Sequence, residues 1–169
     1  MSDAFSPSFE KFQADIEAYL AAQGKRERTQ DGFIVFHGYD AALAHMFSQY
    51  LEHKAYEPLV THFRSWNWEH SYNDYLIRLT ELLLTRRDWP LLKRLWSGVI
   101  SKRRKLYNDI RKLERNAPGR VSPSSLHAAR DNLLETLERV RSYSAQIGTV
   151  EDTNLYEQMM SKVRAGRMA

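Results

Sequence analysis

The chain has 169 residues, 25 Lys and Arg against 21 Asp and Glu, a formal charge of +4 and 43% hydrophobic residues, the composition of an ordinary globular protein long enough for one core. It contains no cysteine, which excludes disulfides, thiolate zinc sites, cysteine-ligated iron–sulfur clusters and a cysteine nucleophile. Its longest aliphatic run, residues 82–84, is far short of a bilayer span, and MSDAFSPSFEKF lacks the basic-then-apolar form of a signal, so a cytoplasmic location without membrane contact is expected.

Ser6 followed by Pro7 predicts the start of a first helix, where Phe9, Phe12, Ile16, Tyr19 and Leu20 repeat at helical spacing up to Gly24. A charged turn at residues 25–32 then leads to Phe33, Ile34, Val35 and Phe36, the one run with strong β character. A lone strand has no partner in this chain, so a short extended plug over the core is expected, with edge pairing to another protein as the sharper alternative. Asp40 is placed as the cap of a second helix carrying Leu43, Met46, Phe47, Tyr50 and Leu51, and Pro58 opens a short third helix to about Trp66. Ser71 with Asp74 has the form of a capping box, starting a fourth helix to Arg87 with Leu76, Leu79, Leu82 and Leu83 inward.

Asp88, with Pro90 in the first turn, caps a fifth helix that runs unbroken to Asn116, ~42 Å at about 1.5 Å per residue, before Ala117, Pro118 and Gly119 break it. Ser122 and Pro123 start a sixth helix with Leu126, Ala129, Leu133, Leu137, Val140 and Ile147 inward, ending at Gly148. Thr149 with Asp152 starts a seventh through Leu155, Met159 and Val163. The expected fold is a single all-α domain over residues 1–169, about seven helices as stacked antiparallel hairpins, solenoid-like or an orthogonal bundle, with residues 89–148 as a long hairpin. No fixed repeat period is present. The turn at residues 87–92 resembles turns in tetratricopeptide-like α-solenoids, and that resemblance implies architecture alone.

Charge is distributed unevenly. Residues 86–116 hold eleven Lys or Arg against Asp88, Asp109 and Glu114, a segment of +8 in a chain of +4. Advancing about 100° per residue from Leu92, the apolar residues of the fifth helix, Leu106 and Leu113 among them, fall in one arc about 140° wide. Lys93, Arg94, Arg104, Lys105, Arg111, Lys112 and Arg115 fall on the opposite arc, which predicts an exposed stripe with no acid among its members. Arg103 lies within the apolar arc and requires a partner, for which Glu135 or Glu138 of the sixth helix is the expectation.

Tyr56, Phe63, Trp66, Trp68, Tyr72 and Tyr75 crowd the junction of the third and fourth helices; they read as a core corner, with Trp66 and Trp68 as stacking or interface anchors. His37, His45, His53, His62 and His70 recur at near-regular intervals, yet no pair has the spacing of helical metal ligands, so neither a metal nor a cofactor is expected. Arg64, followed by five residues and His70, resembles the Arg and His pair of the HEPN ribonucleases, an all-helical family in which the two residues would serve RNA cleavage. The resemblance covers seven residues, and Arg120 with His127 repeats its spacing class. Ahead of that remote alternative stand two readings. One is a non-enzymatic interaction protein, an adaptor, inhibitor or immunity-type protein, binding an acidic protein partner through the basic stripe. The other is a nucleic-acid-binding helical subunit that contacts RNA or DNA phosphates through the same residues.

Overall fold

Local capping decides where the helices begin. In a computed structural model, residues 8–23, 25–28, 30, 34–37, 39–65 and 73–169 are described. Among them lie α1 Phe9–Gln23, β1 Lys25–Arg28, β2 Ile34–His37, α2 Tyr39–Glu52, α3 Tyr56–Ser65, α4 Asn73–Thr85, α5 Trp89–Asn116, α6 Pro123–Ile147 and α7 Val150–Arg164. The protein is all-α, as the periodicity predicts. Three expected caps are present as hydrogen bonds: Asp88 Oδ1 accepts from the Leu91 amide at 3.2 Å, Ser122 Oγ from Ser125 at 3.2 Å and Thr149 Oγ1 from Asp152 at 3.1 Å.

Other boundaries shift. The first helix is capped by Ser8, whose Oγ accepts from the Lys11 amide at 3.1 Å, while Ser6 and Pro7 lie outside the described residues. Asp40 sits inside the first turn of α2, and Pro58 is the third residue of α3, where its missing amide hydrogen leaves no helical bond unmade. Ser71 also lies outside the described residues.

The chain divides into two compact units, Met1–Phe63 and Arg64–Ala169. In the first, α1 packs on α2. Phe12, Ile16, Met46, Phe47, Tyr50, Leu59 and Phe63 are buried, with Phe12 edge-on to Tyr50 at 4.7 Å and Phe47 edge-on to Phe63 at 5.8 Å. The Tyr50 hydroxyl donates to Asp15 Oδ2 at 3.2 Å; its burial and that carboxylate push its pKa well above the ordinary value.

The strand run has a partner within the chain. Lys25–Arg28 pairs antiparallel with Ile34–His37, with Lys25 opposite His37 and Arg28 opposite Ile34. This corrects the expectation of an unpaired plug after a charged turn. The sequence Lys-Arg-Glu-Arg has no β-branched or aromatic residue to mark it as a strand, and it forms one because a backbone ladder can be completed from either partner.

In the second unit each helix packs on its sequence neighbour: α4 on α5, α5 on α6 and α6 on α7. The neighbours are antiparallel. Trp96 Nε1 donates to Thr80 Oγ1 at 3.0 Å, Arg103 near the middle of α5 meets Asn132 and Thr136 in the middle of α6, and Ser144 Oγ lies 2.7 Å from Thr153 Oγ1 across α6 and α7. Leu92, Leu95, Leu133, Leu137, Val140 and Val163 are fully enclosed, each stabilising the unit by roughly 1.5–3 kcal/mol. The buried row of α7 is Tyr156, Met160 and Val163, so Leu155, 48% exposed, and Met159 stand one position off the contact line expected for them. Both rows are apolar, and the fit against α6 chooses between them.

Candidate functional site

The two halves of α5 differ in their surroundings. Up to Ile100 the helix buries eight of its residues; from Ser101 onward only Tyr107 is buried. The distal half still holds as helix because Lys105 pairs with Asp109 at 2.6 Å, Arg111 pairs with Glu114 at 2.8 Å, and the Ala117 amide closes on the Leu113 carbonyl. Gly119, at φ +86, then reverses the chain in a conformation that disfavours any side chain.

The seven stripe cations have different environments. Lys93 lies in the covered half, its Nζ 2.7 Å from Asp152 Oδ1 of α7. Arg94 is exposed. Arg104 is exposed and donates from Nε to the Ala169 carbonyl at 2.7 Å. Lys105, with 78% of its side chain exposed, holds Asp109 below the usual carboxylate range by its hydrogen bond. Arg111 has only 21% of its side chain exposed and donates to Glu114 and to the Gly166 carbonyl. Lys112 and Arg115 are exposed and carry no ion pair among the described residues. The expected acid-free run of seven exposed cations is therefore corrected: Asp152, Asp109 and Glu114 each pair with one member. A helical wheel places Asp109 and Glu114 beside the stripe, but side chains three and four residues away reach across it, and Asp152 arrives from another helix.

What covers one flank is the segment after α7. Gly166, at φ +72, turns the chain, with its amide bonded to the Val163 carbonyl and that of Arg167 to the Lys162 carbonyl. Residues 167–169 then run along α5. Tyr107 donates its hydroxyl to the Arg167 carbonyl at 2.9 Å, and Asn108 exchanges two hydrogen bonds with Ala169, at 2.8 and 3.0 Å. This seat brings Arg167 to the flank of α5 and adds a cation to the surface; Arg164, at the end of α7, is exposed as well. Sequence reasoning missed both, because Arg164 and Arg167 lie 48 and 51 residues beyond the end of α5 and no local pattern ties them to it.

On the other flank, Leu106 is 54% and Leu113 49% exposed, and Ile110 between them is half-buried. This corrects their placement on the buried face. The apolar arc marks residues able to pack, but beyond Ile100 only Tyr107 of that arc is buried. Arg103 also differs from expectation: its Nη1 donates to Thr136 Oγ1 and to the Asn132 carbonyl, not to an acid. Glu135 pairs with Arg139 at 3.1 Å, and Glu138 with Arg141.

Arg64 is exposed, at the end of α3, where its backbone and Cγ would lie 3.4 and 3.2 Å from a Cβ on Gly98, so the glycine permits this close approach to α5. Trp66, Trp68, His70 and Tyr72 lie outside the described residues. His45 stacks on Tyr19 at 5.2 Å, His62 is buried against Phe12 and Phe63, and no group of three His, Asp or Glu able to hold a metal occurs among the described residues. No helix among them is long and apolar enough to cross a membrane. No family model, curated protein or solved structure matches the chain.

Proposed function

We propose that the chain is a non-enzymatic cytoplasmic interaction protein, of adaptor, inhibitor or immunity type, that binds an acidic surface of a protein partner through the distal half of α5. One observation carries this reading: Leu106, Ile110 and Leu113 form a solvent-facing apolar row on the same half-helix as the exposed cations Lys105, Lys112 and Arg115. Single exposed leucines are ordinary, but a row of apolar side chains rimmed by charge is the layout of a protein interface, with a desolvated centre and a polar edge. Binding to phosphates uses the cations and has no use for the leucines. The charges would set the association rate and the choice of an acidic partner, and the leucines would supply the buried area.

The nucleic-acid reading draws on the same cations, enlarged by Arg164 and Arg167. Two variants separate it from the protein reading. Lys105→Glu/Lys112→Glu/Arg115→Glu reverses the charges, and Leu106→Ser/Leu113→Ser removes the apolar row. A partner recovered by affinity purification and identified by mass spectrometry should be lost with either variant. Labelled DNA and RNA, titrated at several salt concentrations, should show no tight binding. Nucleic-acid binding with a steep negative salt slope, unaffected by the serine variant, would replace this reading with the phosphate one.

A further inference from the structure

Between α4, α5 and α6 lies a groove of about 200 Å³ whose walls include Ile77, Trp96, Val99, Arg103, Glu135 and Arg139. Its floor is rigid. The Trp96 indole is 4% exposed, is anchored to Thr80 Oγ1 at 3.0 Å, and lies 5.7 Å from the Tyr143 ring. Its rim on α4 is Ile77, 46% exposed, so an apolar wall faces water.

The charges in the groove do not balance. Arg103 places both of its hydrogen bonds through Nη1, onto Thr136 Oγ1 and the Asn132 carbonyl, and among the described residues neither Nε nor Nη2 has an acceptor. The nearest carboxylate, Glu135, is bonded through Oε1 to Arg139 Nη2 at 3.1 Å. Two guanidinium groups therefore share one acid. Burial pulls the Arg103 pKa below its ordinary value, Glu135 opposes this, and Arg139 adds to it, which is the electrostatic setting of a cation short of a counter-charge. A guanidinium whose remaining donors form a planar fork is matched by a carboxylate.

We infer that this groove is the docking site for an acidic residue of a protein partner, with the carboxylate on Arg103 and Arg139 and an adjoining aliphatic residue on Ile77 and Val99. The inference rests on the reading of the chain as a protein-binding module. Its size argues for side chains of a peptide segment over a cofactor, since small-molecule sites run at about 300–1,000 Å³. Charge complementarity selects the acid, and the exposed Ile77 selects its apolar neighbour. The site is distinct from the row Leu106, Ile110 and Leu113 and its cations Lys105, Lys112 and Arg115, none of which lines the groove, and the two can be tested apart.

The test is an NMR titration of the full-length chain with the N-acetylated, C-amidated tripeptide leucyl-glutamyl-leucine, read at the Trp96 indole N–H. The glutamate peptide is expected to bind about tenfold or more tightly than its glutamine counterpart, the size of one lost charge-assisted hydrogen bond. Arg103→Gln should remove that preference. Ile77→Glu, at an exposed position that leaves folding intact, should weaken binding by a similar factor. Glu135→Gln should tighten it, a gain that mere loss of structure would not give. Lys105→Glu/Lys112→Glu/Arg115→Glu should leave the titration unchanged, so failure of the distal face as a partner site and failure of the groove are separately visible. Equal binding of the two peptides, no shift at Trp96, or hexanoate binding as tightly as the glutamate peptide would overturn the assignment.

Discussion

Replacing His62 with leucine removes a titratable group from the interior of the first unit. His62 is 2% exposed, with Phe12 at 4.9 Å and Phe63 at 5.5 Å from its ring, and burial pushes its pKa down to about 4. The unfolded chain takes up this proton near pH 6.5, whereas the folded chain takes it up only near pH 4. The stability associated with the neutral ring is therefore fully present above about pH 6.5 and is lost as pH falls through that window. The gap corresponds to about 2 kcal/mol lost by pH 5 and about 3 kcal/mol by pH 4, a large part of the stability of a small unit. Urea unfolding of wild type and His62→Leu, followed by NMR signals of residues 8–63, should show the wild type losing about 2 kcal/mol more than the variant between pH 7.5 and pH 5. Parallel losses in the two proteins, or a His62 Cε1–H signal titrating near pH 6.5, would refute the reasoning.

Asp152→Ala removes the acceptor of both Trp89 Nε1, at 2.8 Å, and Lys93 Nζ, at 2.7 Å, and should cost about 2–4 kcal/mol in denaturant unfolding of the second unit. Burial alone would raise the Asp152 pKa, but the hydrogen bonds from Lys93, Trp89 and Thr149 outweigh it, so this stabilisation should persist until pH falls below the ordinary aspartate range. Gly148→Ala places a Cβ 2.8 Å from both Ser144 Cα and Trp89 Cε2, and should destabilise by about 1–3 kcal/mol with a shift in Trp89 fluorescence. Lys54→Gly should raise the melting temperature, with a gain of up to ~1 kcal/mol, because Lys54 closes α2 at φ 56, with its amide on the Leu51 carbonyl and that of Ala55 on the Tyr50 carbonyl.

Features set by neighbours in sequence were legible. Asp88, Ser122 and Thr149 each accept from an amide three residues on, so their residue types located the starts of α5, α6 and α7. The inward row of α6 was legible for the same reason, since Ala129, Leu133, Leu137 and Val140 recur with the helical period. Features set by distant residues were not. Periodicity placed Leu106 and Leu113 on an apolar arc but could not show that both stay exposed. Charge counting placed Lys93 on a stripe but could not foresee Asp152, and it read Lys25–Arg28 as a turn because strand pairing depends on the partner as much as on the residues that pair.

The seat of residues 166–169 on α5 has a consequence for the order of events during synthesis. Tyr107, Asn108, Arg104 and Arg111 are made 60, 61, 65 and 55 residues before the groups they bond. At about 5–20 residues per second, the distal half of α5 waits roughly 3–13 s for its last contacts. Through that interval its helical form has the support of its own pairs, Lys105 with Asp109 and Arg111 with Glu114, so two of the three acids that interrupt the stripe also serve the nascent helix.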